Sequence, residues 1–229
     1  MGSVEEAAAA AADMCCACCG VAAIDNVKLK DCDGGCDLVK YCSDGCQKNH
    51  RDQHKQMCRK RLAELRDNDL FTQPDESHLG ECPICCLPLS LDLTKSTMMT
   101  CCSKTICDGC EYANGIQNGG DNCPFCREMV PDDDDGEEEK RMMKRVKAND
   151  PAAMSEMGTG LYHEGDVDTA FEYLTKAAEL GDMNAHHNLG YMYQLGEGVE
   201  KDEEKEVYHL EKAAIGGHHG ARYDLGCYE

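Results

Sequence analysis

Eighteen of the nineteen cysteines in this 229-residue chain fall between Cys15 and Cys126, several as Cys-x-x-Cys pairs, and Cys227 stands alone near the end. With three phenylalanines and no tryptophan there is too little bulky apolar material for one large core. The first half must therefore fold as small stapled units, below the size at which burial alone suffices. The staples are disulfides or metal ions, and the compartment decides between them. Met1 to Met14 has no basic flank and no leucine-rich core, so it does not read as a signal peptide. Gly2 does not begin an acylation motif, because Glu6 stands where that motif needs Ser or Thr. No stretch holds the roughly 20 apolar residues of a membrane helix. The expectation is a protein of the reducing cytosol or nucleus, not secreted, whose cysteine pairs hold zinc.

Along its length the chain divides into three blocks, preceded by residues 1–14, which are expected to be disordered. The first block, 15–66, carries Cys16-x-x-Cys19-Gly20 and then Cys32, Cys36, Cys42, Cys46, His54 and Cys58, enough ligands for two sites. A linker with Pro74 and several acids, 67–80, leads to a second cysteine block, 81–128. The like-charged run Pro131-Asp-Asp-Asp-Asp-Gly136-Glu-Glu-Glu139 lies in a further linker, 129–150, acidic then basic, expected as a solvated hinge. From 151 to 229 a repeat takes over: Ala178-x-x-Gly181-x-x-x-Ala185 lies over Ala214-x-x-Gly217-x-x-x-Ala221 at an offset of 36 residues. Each unit reads as a helix pair. In the second, a helix over about Met183 to Gln194 precedes a Gly196-Glu197-Gly198 turn, Asp202 can cap, and another helix ends near Ala214-Ile215. The third unit is incomplete at Glu229. A formal net charge of −21 argues against nonspecific binding to nucleic acid and to anionic membranes, which both require a basic surface.

In Tyr41-Cys42-Ser43-Asp44-Gly45-Cys46-Gln47, Asp44 and Gln47 have capping-box spacing, so a helix is expected to start near Gly45. His54 and Cys58 then stand at i and i+4 on one face and can hold one ion. These residues, with the spacing from Cys46 to His54 to Cys58, resemble the MYND finger. The resemblance implies two interleaved zinc sites, Cys16, Cys19, Cys42 and Cys46 in one and Cys32, Cys36, His54 and Cys58 in the other. Cys15 and Cys18 repeat the spacing of Cys16 and Cys19, and Gly20 favours the later pair. His50 lies on the same helical rail as His54 and is expected to be a surface histidine, since structural zinc closes at four ligands. Two positions depart from the family: three residues separate Cys32 from Cys36 where two are usual, and Arg51 stands where a Trp is common. That Trp, with the Gln at Gln47, is associated with the family's groove for Pro-rich peptides. Lys48, Arg51, Lys55 and Arg59 make a basic helical stripe, read as a solvated face that acidic partner peptides would also suit.

Cys82-Pro83-Ile84-Cys85, Cys101-Cys102, Cys107-x-x-Cys110 and Cys123-Pro124-Phe125-Cys126-Arg127 resemble a RING finger with its four ligand pairs in order. The resemblance implies cross-bracing, with Cys82, Cys85, Cys107 and Cys110 on one zinc and Cys101, Cys102, Cys123 and Cys126 on the other. Counting from Cys102, the family places His or Cys where this chain has Lys104, and an ammonium has no lone pair for a metal. The second site therefore needs Cys101 and Cys102 together, or a ligand from elsewhere. Two such fingers imply about four zinc ions. A RING finger performs no covalent step; the family grips a ubiquitin-conjugating enzyme and holds its ubiquitin thioester in a reactive posture. By the resemblance Ile84 and Pro124 would be the apolar contacts and Arg127 the basic residue that bridges both proteins. Tyr112 or Ile116 would substitute for the Trp often found in the intervening helix.

The pattern Leu189-Gly190-x-x-Tyr193…Gly196-x-Gly198-Val199…Asp202…Ala213-Ala214-x-x-Gly217 resembles the Sel-one-like repeat, a relative of the tetratricopeptide repeat whose arrays bind proteins on a concave face. The expected fold is a multi-domain chain with two small, loop-rich α+β zinc fingers followed by an all-α solenoid. The expected function is a RING-type ubiquitin ligase or ligase subunit whose first finger and repeats recruit peptide or protein partners. A non-enzymatic adaptor is the alternative. A zinc hydrolase is disfavoured, because a catalytic zinc keeps one position open to water and these sets close with four protein ligands.

Overall fold

The computed structural model describes residues 15–23, 28–72, 74, 77–120, 122–130 and 136–227. Residues 1–14, expected to be disordered, lie outside the described residues. The chain folds as two units, Met1–Thr72 and Gln73–Glu229.

In the first unit β1 (Lys30–Asp31) pairs antiparallel with β2 (Lys40–Tyr41), and α1 (Asp44–Phe71) follows at once. Ser43 caps this helix, its Oγ accepting from the Cys46 N–H at 3.2 Å, so the helix begins one residue before the expected start. It also runs beyond residue 66 to Phe71, through the front of the stretch expected as a linker, because no Gly or Pro interrupts it before Pro74. Along its 28 residues His54 is the only buried one. The core of this unit is Tyr41 among Cys16, Cys32 and Cys36, bordered by Leu29 and Val39. Burying one such ring stabilises by only about 2–3 kcal/mol. Ordering the backbone costs about 1–2 kcal/mol for every residue. Burial alone does not hold this unit, and metal binding must supply the difference.

The second unit opens with the other cysteine block. There β3 (Ser96–Met99) pairs antiparallel with β4 (Lys104–Cys107), Ser96 opposite Cys107, and α2 (Asp108–Asn118) closes on Gly119 in the left-handed region at φ 78°. Leu89, Met99 and Ile106 pack with Cys82 and Cys123 as its small core.

Of the run expected as a solvated hinge, residues 131–135 lie outside the described residues, and its glutamates open a core helix, α3 (Glu137–Lys147), which occupies much of the expected linker. Three glutamates in its first turn and Lys144, Arg145 and Lys147 in its last complement the helix dipole. Met142 and Val146, one turn apart, are buried in one cluster with Met154, Leu174, Leu189 and Met192 of the repeats. The charge run hides this face, since two apolar residues at i and i+4 suffice to dock a short helix. On its finger side, Arg145 Nε donates to Ser103 Oγ at 3.2 Å and to the Asp150 carboxylate at 3.0 Å, and Arg141 donates to the Met129 carbonyl. Helix α3 thus ties the β3–β4 turn to the repeats, and Met98 of β3 packs against the repeat core.

The repeats comprise α4 (Pro151–Glu164), α5 (Val167–Glu179), α6 (Met183–Leu195), α7 (Glu203–Ile215) and α8 (His219–Gly226). Helix α4 packs on α5 and α6 on α7, as the periodicity predicts. Asp150, Asp166, Asp182 and Asp202 cap the first four, each carboxylate accepting backbone N–H groups two or three residues on. Glycine sits where each pair comes closest. A Cβ at Gly158 would meet Leu174 Cγ at 2.8 Å, and one at Gly190 would meet Leu210 Cδ2 at 2.9 Å. Ahead of the finger, His78 donates its backbone N–H to the Gly217 carbonyl at 3.4 Å, and its Nε2 lies 3.1 Å from Asn184 Oδ1. The end of the expected 67–80 linker is thereby moored to the repeats.

Candidate metal centres

Three of the Cys-x-x-Cys pairs are built on one turn. The residue after the second cysteine, Gly20, Cys86 or Arg127, returns its N–H to the carbonyl of Cys16, Cys82 or Cys123 at 2.8, 2.9 and 2.8 Å. All three residues take left-handed φ values, 73°, 55° and 65°. Such a turn aims backbone N–H groups at the first sulfur. Burial acts to raise the Cys16 thiol, but the N–H groups of Cys19, Cys42 and Cys18 outweigh it and bring it down to about 6. Cys82 falls to about 6 in the same way, against its burial, through the N–H groups of Cys107, Cys85 and Ile84, and Cys123 is lowered likewise. The thiolate is the metal-binding form, so each turn presents one ready donor.

Four sets of donors converge, and they are the sets that the two family resemblances imply. Cys16, Cys19, Cys42 and Cys46 form the first and Cys32, Cys36, His54 and Cys58 the second. Cys82, Cys85, Cys107 and Cys110 form the third, and Cys101, Cys102, Cys123 and Cys126 the fourth, with the ligand atoms of each set within 4.8 Å of one another. Sulfur separations are 3.6 Å for Cys19–Cys42 and Cys42–Cys46, 3.9 Å for Cys32–Cys58, 3.7 Å for Cys85–Cys107, 3.9 Å for Cys102–Cys123 and 3.3 Å for Cys101–Cys126. A tetrahedral zinc with bonds of about 2.3 Å requires edges of about 3.8 Å, so the spacing fits zinc, and none of these pairs is at the roughly 2.05 Å of a disulfide.

The electrostatics agree. Neighbouring sulfurs push Cys42 up to about 12; burial first and then neighbouring sulfurs push Cys58 and Cys110 up to about 12 and Cys102 to about 11. Four thiols this close ionise together only around a cation. His54 Nε2 lies 3.1 Å from Cys36 Sγ, and burial, with His50 beside it, lowers its pKa and keeps the ring in the neutral form that binds metal. The donor sets fit four zinc ions per chain.

The extra residue between Cys32 and Cys36 is absorbed by two glycines. Gly35 takes φ 75° and returns its N–H to the Cys32 carbonyl at 2.7 Å, while Gly34 passes so close to the site that a Cβ there would lie 2.8 Å from Cys58 Sγ. Gly34→Ala is therefore expected to displace a ligand and weaken the second site at least tenfold, on the order of the loss on disturbing ligand support. Chelator competition on the full chain reads this, and an unchanged profile contradicts the tight approach.

Both Cys101 and Cys102 enter the fourth set, and Lys104 lies outside it, exposed at the start of β4. A turn makes this possible. The N–H groups of Cys102 and Ser103 both donate to the Met99 carbonyl, at 3.2 and 2.8 Å, with Ser103 at φ 52°. Adjacent residues of an extended strand would point to opposite faces. Cys101→Ala should thus lower the metal content from about four ions to about three, because three ligands hold structural zinc poorly. Elemental analysis showing no change would make Cys101 a spectator.

His50 is not the free surface residue its position predicts. Its Nδ1 lies 3.0 Å from the hydroxyl of buried Tyr41, and its ring stacks on His54 at 5.8 Å, so it supports a ligand without being one. The i, i+4 spacing to His54 was the available signal. Around the second finger Ile84 is 40% exposed, Pro124 is half-buried, and Phe125 and Arg127 are exposed. Tyr112 and Ile116, one turn apart on α2, are also exposed.

Comparison with known families finds the MYND finger over residues 16–58 and the Sel1 repeat over 151–182 and 184–218. No curated protein matches the chain. Among solved structures, a Sel1 repeat protein from Oxalobacter formigenes is 30% identical, with 40% of this chain and 39% of that one covered and a TM-score of 0.38. The chain thus spans about two-fifths of the length of that solved protein. Two of the donor sets fall within the first family match and the paired helices within the second: the chain joins a zinc-binding MYND finger over residues 16–58 to Sel1 repeats over residues 151–218.

Proposed function

We propose that this protein, built from interaction modules, is a RING-type ubiquitin ligase or ligase subunit of the cytosol or nucleus. The observation that carries this reading is the second finger, where two four-donor sets interleave along the chain as 82/85/107/110 and 101/102/123/126. Bound zinc would supply rigidity to the turns and take no part in chemistry. Ile84 and Pro124, on two of those turns, would give a conjugating enzyme its apolar contact. Arg127 follows the last ligand, and its five guanidinium donors suit a bridge between the conjugating enzyme and its ubiquitin. Cysteines grouped as zinc donors and not bonded as disulfides support a reducing compartment.

A ubiquitin-transfer assay with a panel of conjugating enzymes tests the reading. Arg127→Ala should leave the zinc content intact and reduce transfer by on the order of tenfold or more, with a smaller change in enzyme binding. Ile84→Ala should weaken the binding itself. If the metal-loaded protein shows no transfer with any conjugating enzyme, or neither change matters, the ligase reading fails. The second reading, a non-enzymatic adaptor, is favoured by the MYND finger and the repeats, which are both protein-interaction modules. It expects both variants to keep their partners.

A further inference from the structure

On helix α1, Lys48, Arg51, Lys55 and Arg59 follow one another at i, i+3, i+7 and i+11 and border a cleft of about 450 Å³ whose wall includes Gln47 and Tyr41. All four cations are exposed, and among the described residues none forms an ion pair. By contrast, Lys30, Lys40, Lys60, Arg61 and Arg66 of the same unit each meet a carboxylate. Residues 15–72 hold ten Lys and Arg against nine Asp and Glu, so the acid behind the net charge of −21 lies almost wholly elsewhere in the chain.

We propose that this face is a docking surface for an acidic, extended peptide segment of a partner protein. The geometry points to that chemistry in three ways. The four cations span about 16 Å of helix, the length of about five extended residues. A carboxylate-bearing segment would complement them, and its backbone would lie against Gln47. Of the two acids in the cleft wall, Asp44 is already held by Lys30 at 2.9 Å, which leaves Asp33 at the rim to set the register by repulsion. A nucleic acid strand fits less well. It would bring a charge with every nucleotide toward a molecule of −21, whereas a short peptide confines its charge to the cleft. The proposal concerns the first unit alone and stands whether or not the second finger is an active ligase.

The test uses the full, zinc-loaded chain and fluorescence anisotropy with three labelled probes of about 12 units each: alternating Glu and Gly, alternating Pro and Ala, and single-stranded RNA. The Glu–Gly peptide should bind, and its affinity should fall about tenfold between about 50 and 300 mM salt, since exposed charge pairs are screened. The double variant R51E/K55E changes no metal ligand and should keep about four zinc ions while binding the peptide at least tenfold more weakly. Should that variant lose metal, K48A and R59A provide the same test at smaller cost to the fold. Equal or tighter binding of the Pro–Ala peptide or the RNA overturns the proposal. So does peptide binding that ignores salt, or that survives the substitutions with zinc content unchanged.

Discussion

Stripping the metal from the full chain is expected to unfold both cysteine blocks while α4 to α7 persist. In the first unit α1 buries only His54, and its core is one tyrosine among thiols. With the cation gone, sulfurs held 3.3 to 3.9 Å apart have no common partner and the binding energy that offsets chain entropy is lost. The repeats have their own apolar cluster, from Met154 through Leu174 and Leu189 to Met192. Their helices should stay, although the loss of Met98 and of the Ser103–Arg145 contact should lower their melting temperature by several degrees, as about 1 kcal/mol does in a domain of this size. Circular dichroism at the helical minimum should thus drop in part at neutral pH and then melt cooperatively at higher temperature. Complete collapse on chelation would show that the repeats depend on the metal, and no change would show that the fingers do not.

Mild acid is expected to destabilise the repeats through histidines that the fold holds neutral. Burial, then the charges of His186 and Lys205, depress His209 to about 4, and burial, then His187, His78 and His219, depress His218 to about 3. Burial chiefly lowers His186 and His78 as well. The contacts explain why. Nδ1 of His186 and Nδ1 of His209 lie 2.9 Å apart, so one ring must accept where the other donates. His218 Nδ1 accepts from the Ala221 N–H at 3.1 Å as the cap of α8, with the His187 and His78 rings 4.2 and 4.3 Å away. A second proton on any of these rings removes an acceptor or sets like charges together.

The unfolded chain takes up those protons near pH 6.5, and the folded chain only well below it. The stabilising contribution is therefore complete above about pH 6.5 and is lost as the pH falls, for His209 and His218 toward 4 and 3 at up to about 1.4 kcal/mol per pH unit each, and in the same direction for His186 and His78. Asp182 and Glu206, whose carboxyls burial pushes up, act in the opposite sense. Acid also releases zinc, so the decisive comparison is with His218→Asp, which can keep the cap as Asp150 and Asp182 do. Its stability should fall less steeply between pH 6.5 and 5, by about one proton's worth of slope, in thermal melts with excess zinc. Parallel slopes for variant and parent would remove His218 from the account.

The cysteine spacing, the i, i+4 pair His54 and Cys58, and the 36-residue echo of the Ala-x-x-Gly-x-x-x-Ala pattern are local or periodic signals. They pointed by themselves to the helix pairs and the cap at Asp202, and together with the two family resemblances to the donor sets, because a knuckle turn, a helix face and an N-cap each need only a few consecutive residues. What lay beyond reach were contacts between residues distant in sequence. Charge made 129–150 read as a linker, yet Met142 and Val146 find an apolar surface that exists only once α4 to α6 have packed. His50 reads as a surface ring until Tyr41 is folded beneath it. Counting left Lys104 in a ligand's place, and only the turn that brings both N–H groups back to the Met99 carbonyl turns Cys101 and Cys102 inward together. Residue type and spacing determined that metal would be bound and by which residues in pairs, while the folded backbone decided how those pairs close and what holds the second finger to the repeats, because side-chain direction at a turn and burial at a docked face are properties of the assembled chain.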